Sequence, residues 1–252
     1  MIYLVLGMHK SGTTLISQML HESGVNMGDF NSKLTYDQGN QYEREITKKI
    51  NKEILNCGDT SSILVNRIPT LEQILPEYYQ QAKNIINQLN NNFNTWGFKD
   101  PRSCLLSHFW IPLLNPCRII FIFRDPSAIY KHYTHGLEKQ YKIMAFARGW
   151  AALRSWYIYN FNVINSYEEL TNKENFILVK YENLLENNHF ERLRLESFLN
   201  QPLKNVINPS LYRHQPQMSF NYKTSVKLCQ FFNDKNVIWL YEYIDDLYKK
   251  QF

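Results

Sequence analysis

Four short apolar runs occur along the chain, and each ends at polar or turn-forming residues. They are rich in β-branched and aromatic residues, and they do not alternate between apolar and polar positions. Runs of this kind are typical of strands that are buried on both faces, as in a parallel sheet. The predicted strands are Ile2–Leu6, Trp96–Phe98, Arg118–Phe123 and Phe176–Val179.

Segments with helical periodicity lie between these strands. Thr13–Ser23 repeats apolar side chains at helical spacing, and Gly24 then suits the end of a helix. Pro126–Tyr141 begins with a proline, which fits the first turn of a helix. Further helices are predicted over Leu71–Leu89, Leu105–Leu114, Phe146–Leu170, Phe190–Leu199 and Val237–Leu247. This alternation predicts an α/β fold, with one open parallel sheet covered by helices on both faces.

Two stretches lack a regular period. Met27–Tyr42 is rich in Gly, Asn, Asp and Gln, and it predicts a long loop of the kind that often carries function. Asn205–Lys227 is also irregular and polar. Neither is a domain-sized linker and no internal repeat is evident, so the sequence predicts a single domain over residues 1–252.

The composition narrows the classes of function. A chain of 252 residues with 44% hydrophobic residues is enough for one sizeable core. The net charge of +5 suits an anionic small ligand, while no run of Lys and Arg predicts a nucleic-acid groove. The first residues lack the basic segment of a signal peptide, and no apolar stretch approaches the ~20 residues of a membrane span. We therefore expect a cytoplasmic protein whose partners are small molecules.

The four cysteines are scattered along the chain and lack the spacing of a metal site. They are Cys57, Cys104, Cys117 and Cys229. Free thiols in a reducing compartment are the simpler interpretation.

The first predicted strand leads into a glycine-containing loop, Gly7-Met8-His9-Lys10-Ser11-Gly12-Thr13-Thr14, and then into a helix. This layout binds phosphate, because backbone N–H groups and the helix N-terminus face the anion. The ATP-binding version carries Lys directly after the second Gly. Here Thr13 has that position and Lys10 lies inside the loop, which places the ammonium beside Ser11. An ordinary strand–turn–helix junction and a nucleotide kinase are the alternatives.

Three further segments follow the loop in order: Gly97–Arg102 (GFKDPR), Ile120–Pro126 (IFIFRDP) and Val179–Leu185 (VKYENLL). Together with the loop, they resemble the bacterial branch of the sulfotransferases that use 3'-phosphoadenosine 5'-phosphosulfate (PAPS). In that family the corresponding elements are the 5'-phosphosulfate loop, a Lys-Asp-Pro element, the 3'-phosphate strand and turn, and a Tyr-Glu-Asp/Asn-Leu element near the adenine. The family has a four- or five-stranded parallel sheet with a P-loop-like site, flanked by helices, which agrees with the fold predicted from periodicity.

The resemblance implies roles for the donor site. Lys10 would stabilise the leaving phosphate oxygen, and Lys99 would support the sulfuryl oxygens, unless Lys99 and Asp100 form only a local ion pair. Backbone and hydroxyl donors would come from the rest of the loop: His9, Ser11, Gly12, Thr13 and Thr14.

The resemblance also implies a grip on the other end of the donor. Arg124 would clamp the 3'-phosphate bidentately. The family usually has Ser eight residues later, where this chain has His132, so either His132 or Ser127 would complete the grip. Tyr181 would lie against the adenine edge, with a core tyrosine as the alternative. Arg213 would close over the donor.

A hydroxyl acceptor must lose a proton as it attacks, so a general base is needed. Cytosolic members use a His two residues after the lysine that corresponds to Lys99, where this chain has Pro101. Members that act on protein tyrosine and on heparan use a Glu beyond the first helix, and Glu43 lies in the comparable region. Glu43 is therefore the first candidate, followed by Asp100 and His9; a solvated carboxylate at a helix start is the alternative for Glu43.

The predicted reaction is transfer of a sulfuryl group from PAPS to a hydroxyl, or an amine, of a small molecule such as a secondary metabolite. No metal is expected, because a sulfate ester carries less charge than a terminal phosphate. A glycan acceptor, an ATP-dependent kinase and a non-catalytic nucleotide-binding protein are the alternatives. The Met27–Tyr42 loop and the aromatic residues of Phe146–Leu170 would line the acceptor pocket, unless that aromatic stripe belongs to the core.

Overall fold

Four parallel strands form one sheet in the computed structural model, in the order β2-β1-β3-β4. The strands are β1 (Ile2–Leu6), β2 (Trp96–Lys99), β3 (Cys117–Phe123) and β4 (Phe176–Lys180). All four predicted strands are thus confirmed, and three of them are one residue longer than predicted. The structure describes residues 1–28, 42–57, 68–137, 141–186, 188–207, 220–233 and 236–252.

Helices connect the strands. They are α1 (Thr13–Glu22), α2 (Glu45–Leu55), α3 (Pro76–Asn92), α4 (Ser107–Leu113), α5 (Pro126–Thr134), α6 (Lys142–Glu168), α7 (Tyr181–Glu186), α8 (Asn188–Leu199), α9 (Phe220–Asn233) and α10 (Val237–Lys249). Two 3-10 turns cover Leu71–Gln73 and Pro101–Cys104. None of the helices in the described ranges is long and apolar enough to cross a membrane.

Successive strand residues point to opposite faces, and helices cover both faces. On one face, Leu4 and Phe121 pack with side chains of α3, α4, α6 and α10. On the other face, Val5 and Ile122 pack with side chains of α1 and α8. Such two-sided burial explains why the strands are continuous apolar runs rather than alternating ones. The predicted α/β fold with one parallel sheet is confirmed; that a single domain extends over residues 1–252 stays a prediction.

Several helix boundaries differ from the prediction. The helix predicted over Leu71–Leu89 is a 3-10 turn followed by α3, which begins at Pro76, where the missing N–H of proline costs nothing. The helix predicted over Leu105–Leu114 is the shorter α4, Ser107–Leu113, and a 3-10 turn precedes it at Pro101–Cys104. The helix predicted over Pro126–Tyr141 ends at Thr134, because His135 is extended and Gly136 has a φ of 80°.

Three of the described helices were not predicted at all: α2, α7 and α9. The α2 helix follows the Met27–Tyr42 loop, and α9 lies partly inside Asn205–Lys227, which was wrongly predicted to be irregular throughout. Residues 29–41 of the predicted loop lie outside the described residues. Gly24 has a φ of 96° just beyond α1, which confirms its role at the end of that helix.

The aromatic stripe of α6 belongs mainly to the core. Trp156 and Tyr159 are fully buried, and Trp150 and Tyr157 are partly buried against the same cluster. The structure therefore favours the core alternative over the predicted acceptor pocket for this stripe.

Candidate active site

The four segments singled out in the sequence meet at one edge of the sheet. Because all four strands are parallel, their carboxyl ends lie side by side. The chain turns toward β2 after β1 and toward β4 after β3, so the two central strands form a topological switch point. Crevices at such points are where open α/β sheets bind ligands.

The loop after β1 has the backbone of an anion site. Lys10 and Gly12 are left-handed, with φ of 70° and 95°. The Ser11 N–H closes a turn by donating to the Met8 carbonyl at 3.1 Å, and α1 begins directly after Gly12 with no side-chain cap. The loop thus presents an uncapped helix N-terminus, which favours negative charge.

A buried thiol holds the start of the loop. The Gly7 N–H donates to the Sγ of Cys104 at 3.0 Å. Cys104 closes the 3-10 turn that follows β2 and is fully buried, and burial raises the pKa of its thiol. The thiol is therefore an inert acceptor that connects the loop to the neighbouring strand end.

Arg124 joins the end of β3 to the same loop. Its Nη1 donates to the Lys10 carbonyl at 2.9 Å. Its guanidinium carbon lies 4.3 Å from the centre of the Tyr181 ring, and a Cβ atom at Gly12 would overlap that ring. The Trp156 indole N–H donates to the Arg124 carbonyl at 2.9 Å. Arg124, Tyr181 and the loop therefore form one packed unit.

Lys99, at the end of β2, forms a buried ion pair. Its side chain is only 2% exposed, and its Nζ lies 2.9 Å from Glu43 Oε1 and 3.5 Å from Thr14 Oγ1. Burial lowers the pKa of Lys99, and the carboxylate of Glu43 partly opposes that shift. The structure thus brings three predicted site residues together from β2, from α1 and from the segment before α2.

The neighbour of Glu43 anchors this arrangement. Arg44 is buried and donates from Nε to the Gly97 carbonyl at 3.2 Å. Its Nη2 donates to the carbonyl and the side-chain oxygen of Asn26 at 2.7 and 2.6 Å. Arg44 also lies over the rings of Phe93 and Trp96. Since Gly97 is two residues from Lys99, Arg44 fixes the separation between Glu43 and Lys99.

Asp100 has a different environment from Glu43. It is fully buried and accepts from Arg102 Nη1 at 2.9 Å, from the Arg102 N–H at 3.1 Å and from Asn51 Nδ2 at 2.9 Å. Burial raises the pKa of Asp100, and the guanidinium of Arg102 opposes that shift. The carboxylate caps the 3-10 turn after β2. Lys99 and Asp100 thus have separate ion-pair partners, Glu43 and Arg102, and the alternative of a local pair between the two is not favoured.

His9 lies at the base of the loop. The centres of the His9 and Tyr159 rings lie 6.0 Å apart in an edge-to-face arrangement. The Nε2 atom of His9 is buried without a hydrogen-bond partner among the described residues. Burial lowers the pKa of His9 well below its usual range, and the positive charges of Arg102, Lys99 and Lys10 add to that shift. His9 is therefore neutral at pH 7.

Of the three remaining predicted residues, two lie on α5 and one lies outside the described residues. Ser127 is buried in the first turn of α5, and its N–H is capped by Asp125 at 2.7 Å. His132 lies exposed later on the same helix, with its ring edge-on to Tyr133. Arg213 lies outside the described residues.

Sequence reasoning missed the contribution of α2, which supplies Lys48 and Asn51 and begins directly after Arg44. Its buried positions, Thr47, Ile50, Asn51 and Leu55, recur at helical spacing, and this pattern was a signal that could have revealed the helix. The contacts of Arg44 with Gly97 and Asn26 carried no such signal, because they connect residues that are distant in sequence.

Comparison with known proteins identifies the family. Residues 3–238 match the family described as "Sulfotransferase domain". A comparison with curated proteins yields no significant match. Solved structures of similar fold include two sulfotransferase domains. One is the "Sulfotransferase Domain from the Curacin Biosynthetic Pathway", with a TM-score of 0.51, 20% identity, and coverage of 89% of this chain and 82% of that one.

A second solved structure of similar fold is the "Sulfotransferase Domain from the Synechococcus PCC 7002 Olefin Synthase". It has a TM-score of 0.52 and 17% identity, and the match covers 92% of this chain and 94% of that one. At these identities the two structures support the fold alone. The family match, in contrast, extends over nearly the whole chain, and on that basis the chain belongs to the sulfotransferase family.

Proposed function

We propose that the protein transfers a sulfuryl group from PAPS to a hydroxyl, or an amine, of a small-molecule acceptor and releases 3'-phosphoadenosine 5'-phosphate (PAP). One observation carries the choice of donor: Arg124 bonds to the Lys10 carbonyl, so two anion-binding elements adjoin at one sheet edge. A nucleotide that carries phosphate on both its 5' and 3' positions needs two such elements. ATP, which has no 3'-phosphate, does not.

Unsatisfied donors at this edge fit an anionic ligand. Ser11 Oγ and Arg124 Nε are buried and have no hydrogen-bond partner among the described residues. A buried polar group without a partner is costly, so such groups are usually completed by a ligand or water. Together with the uncapped N-terminus of α1 and the exposed Lys10, they form a set of donors suited to phosphate.

The reaction requires a cation and a base. Sulfuryl transfer forms a bond from the acceptor oxygen to sulfur and breaks the bond from sulfur to the 5'-phosphate oxygen. Lys10 stabilises the negative charge that grows on that phosphate oxygen, and Lys99 supports the sulfuryl oxygens. Glu43 takes the acceptor proton. We prefer Glu43 to Asp100 because Asp100 is committed to Arg102 and Asn51, whereas Glu43 is paired with Lys99, which also donates to Thr14 at the start of α1.

Ligand binding tests the donor. We expect PAP to raise the melting temperature of the protein, since bound ligand adds RT ln(1 + [L]/Kd), about 2.7 kcal/mol at one hundred times Kd. Adenosine 5'-monophosphate, which differs by the 3'-phosphate alone, is the matched control and is expected to stabilise the protein much less. Stabilisation by ATP–Mg²⁺ without stabilisation by PAP would overturn the proposal in favour of a kinase.

Turnover tests the acceptor. The protein is incubated with labelled PAPS and with panels of hydroxylated small molecules, amines and glycans, with and without EDTA. We expect label on small molecules at rates that EDTA does not change. Label on glycans alone would show that the acceptor is a glycan rather than a small molecule. PAP binding without transfer to any acceptor would indicate a non-catalytic nucleotide-binding protein.

A further inference from the structure

Lys48 gives Glu43 a second cation. Lys48 Nζ lies 3.6 Å from Glu43 Oε2, while Lys99 Nζ lies 2.9 Å from Glu43 Oε1. The side chain of Lys48 is 19% exposed and that of Glu43 is 11% exposed, so both are largely shielded from solvent. Each carboxylate oxygen of Glu43 thus has its own ammonium group.

We propose that Lys48 is a positioning residue that keeps the Glu43 carboxylate at the active site during the reaction. This inference rests on the proposed function, in which Lys99 binds the sulfuryl oxygens. When the Lys99 ammonium turns to those oxygens, Glu43 Oε1 loses the cation that now holds it. Lys48 stays on Oε2, so Oε1 faces the acceptor and is available to take its proton.

The backbone of Lys48 is well placed for this role. The Lys48 N–H donates to the Arg44 carbonyl at 3.0 Å, and Arg44 is itself anchored to β2. One turn further along α2, Asn51 donates to Asp100 and Ser103 at 2.9 Å each and accepts from Trp110 at 2.7 Å. Because α2 is attached to the end of β2 at both points, Lys48 keeps a fixed position relative to Lys99.

A competing partner for Lys48 is weak. Glu45 Oε2 also lies 3.6 Å from Lys48 Nζ, but the Glu45 side chain is 77% exposed. Ion pairs in solvent contribute little. The shielded Glu43 is therefore the partner that determines what Lys48 does.

The test compares Lys48→Met with Lys49→Met. Lys49 is the next residue on the same helix and is 75% exposed, so its substitution removes the same charge away from Glu43. The readout is release of PAP from PAPS with water as the acceptor, together with PAP affinity by calorimetry. We expect Lys48→Met to lower kcat about tenfold while KM for PAPS and PAP affinity stay unchanged, which is the signature of an interaction used in the transition state. Lys49→Met should match the wild type, and Lys48→Arg should restore most of the rate.

A double-mutant cycle shows whether Lys48 acts through Glu43. If it does, Lys48→Met should have no further effect on kcat in a Glu43→Gln background. The role of Lys48 would be overturned if the two substitutions lowered kcat independently, so that their effects multiplied in the double variant. It would also be overturned if Lys48→Met and Lys49→Met had the same rate. Either result would leave the proposed function intact. A wild-type protein that neither binds PAP nor releases it from PAPS would overturn the proposed function, and the role of Lys48 with it.

Discussion

Lys10 and Lys99 are the two lysines proposed to contact the donor, and their surroundings are opposite. Lys10 is exposed, and its backbone is in the left-handed region, with a φ of 70°. Lys99 is buried, paired with Glu43 and close to Thr14. The ammonium of Lys10 is thus accessible to a ligand as the structure stands, whereas that of Lys99 must exchange Glu43 for the ligand. This difference makes Lys10 the better residue on which to test leaving-group stabilisation.

We predict that Lys10→Ala lowers kcat on the order of a hundredfold, the usual cost of losing one donor that stabilises transition-state charge. Alanine keeps a Cβ atom at the φ of 70°, so the backbone strain at this position is the same in both proteins. The melting temperature should therefore stay the same. The measurement is PAPS turnover beside Lys83→Ala, which removes an exposed lysine from α3. A rate for Lys10→Ala near that of the control would exclude Lys10 from the mechanism.

The sequence predicts three candidate bases, and two of them, Glu43 and Asp100, are distinguished by their contacts in the structure. Glu43 and Asp100 are both acidic residues in segments that resemble the family, so neither composition nor spacing distinguishes them. Their partners do, because Asp100 bonds to Arg102 and Asn51 whereas Glu43 bonds to Lys99. Arg102 is close to Asp100 in sequence, but Asn51 and Lys99 pair with residues that are distant in the chain, which is why single-sequence reasoning stopped at a ranking.

At the scale of elements, the loop after β1 combines a left-handed backbone at Gly12 with close packing against the ring of Tyr181. Gly12 has a φ of 95°, and a Cβ atom there would overlap the ring of Tyr181. Gly24 has almost the same φ of 96°, yet a Cβ atom there would have no atom within 4 Å. The two glycines therefore share the conformational cost and differ in the contact.

We predict that Gly12→Ala and Gly24→Ala each lose about 1–2 kcal/mol of stability from the left-handed backbone. Gly12→Ala should also lose PAP affinity, because the Tyr181 ring must move and Arg124 lies against that ring. Calorimetric titration with PAP and denaturant unfolding of both variants separate the two effects. Equal PAP affinity in both variants would show that the Gly12–Tyr181 contact does not shape the donor site.

The strands were predicted more accurately than the helices, for physical reasons. Strands such as Ile2–Leu6 were located to within one residue, because burial on both faces leaves an unbroken apolar run. Helix ends such as Thr134 were missed, since they depend on local backbone angles at His135 and Gly136. Of the missed helices, α2 supplies Lys48 and Asn51 to the candidate site, and its position depends on Arg44 reaching carbonyls on β2 and after α1.

At the scale of the whole molecule, an open sheet must protect its edges. β4 is an edge strand, and its outer backbone groups are satisfied by side chains from elsewhere. The Leu178 N–H donates to Gln251 Oε1 at 2.8 Å, and Gln251 Nε2 donates to the Phe176 carbonyl at 3.1 Å. Arg194 donates to the Leu178 carbonyl. The amide of Gln251 thus takes the place of a neighbouring strand, which blocks edge-to-edge association.

The last prediction follows from that arrangement. Gln251→Ala removes two hydrogen bonds from partly buried backbone groups, so we expect it to lower the free energy of unfolding by about 1–3 kcal/mol. It should also promote association at high protein concentration, because the edge of β4 is then exposed. Gln80→Ala is the matched control, since Gln80 is exposed and its one side-chain hydrogen bond among the described residues stays within α3, to Asn84 at 2.9 Å. Denaturant unfolding and sedimentation of the two variants measure both effects. Since Lys180 ends β4 directly before Tyr181, a loosened edge should also weaken PAP binding in Gln251→Ala. Unchanged stability and affinity would show that the Gln251 amide does not hold the edge of β4.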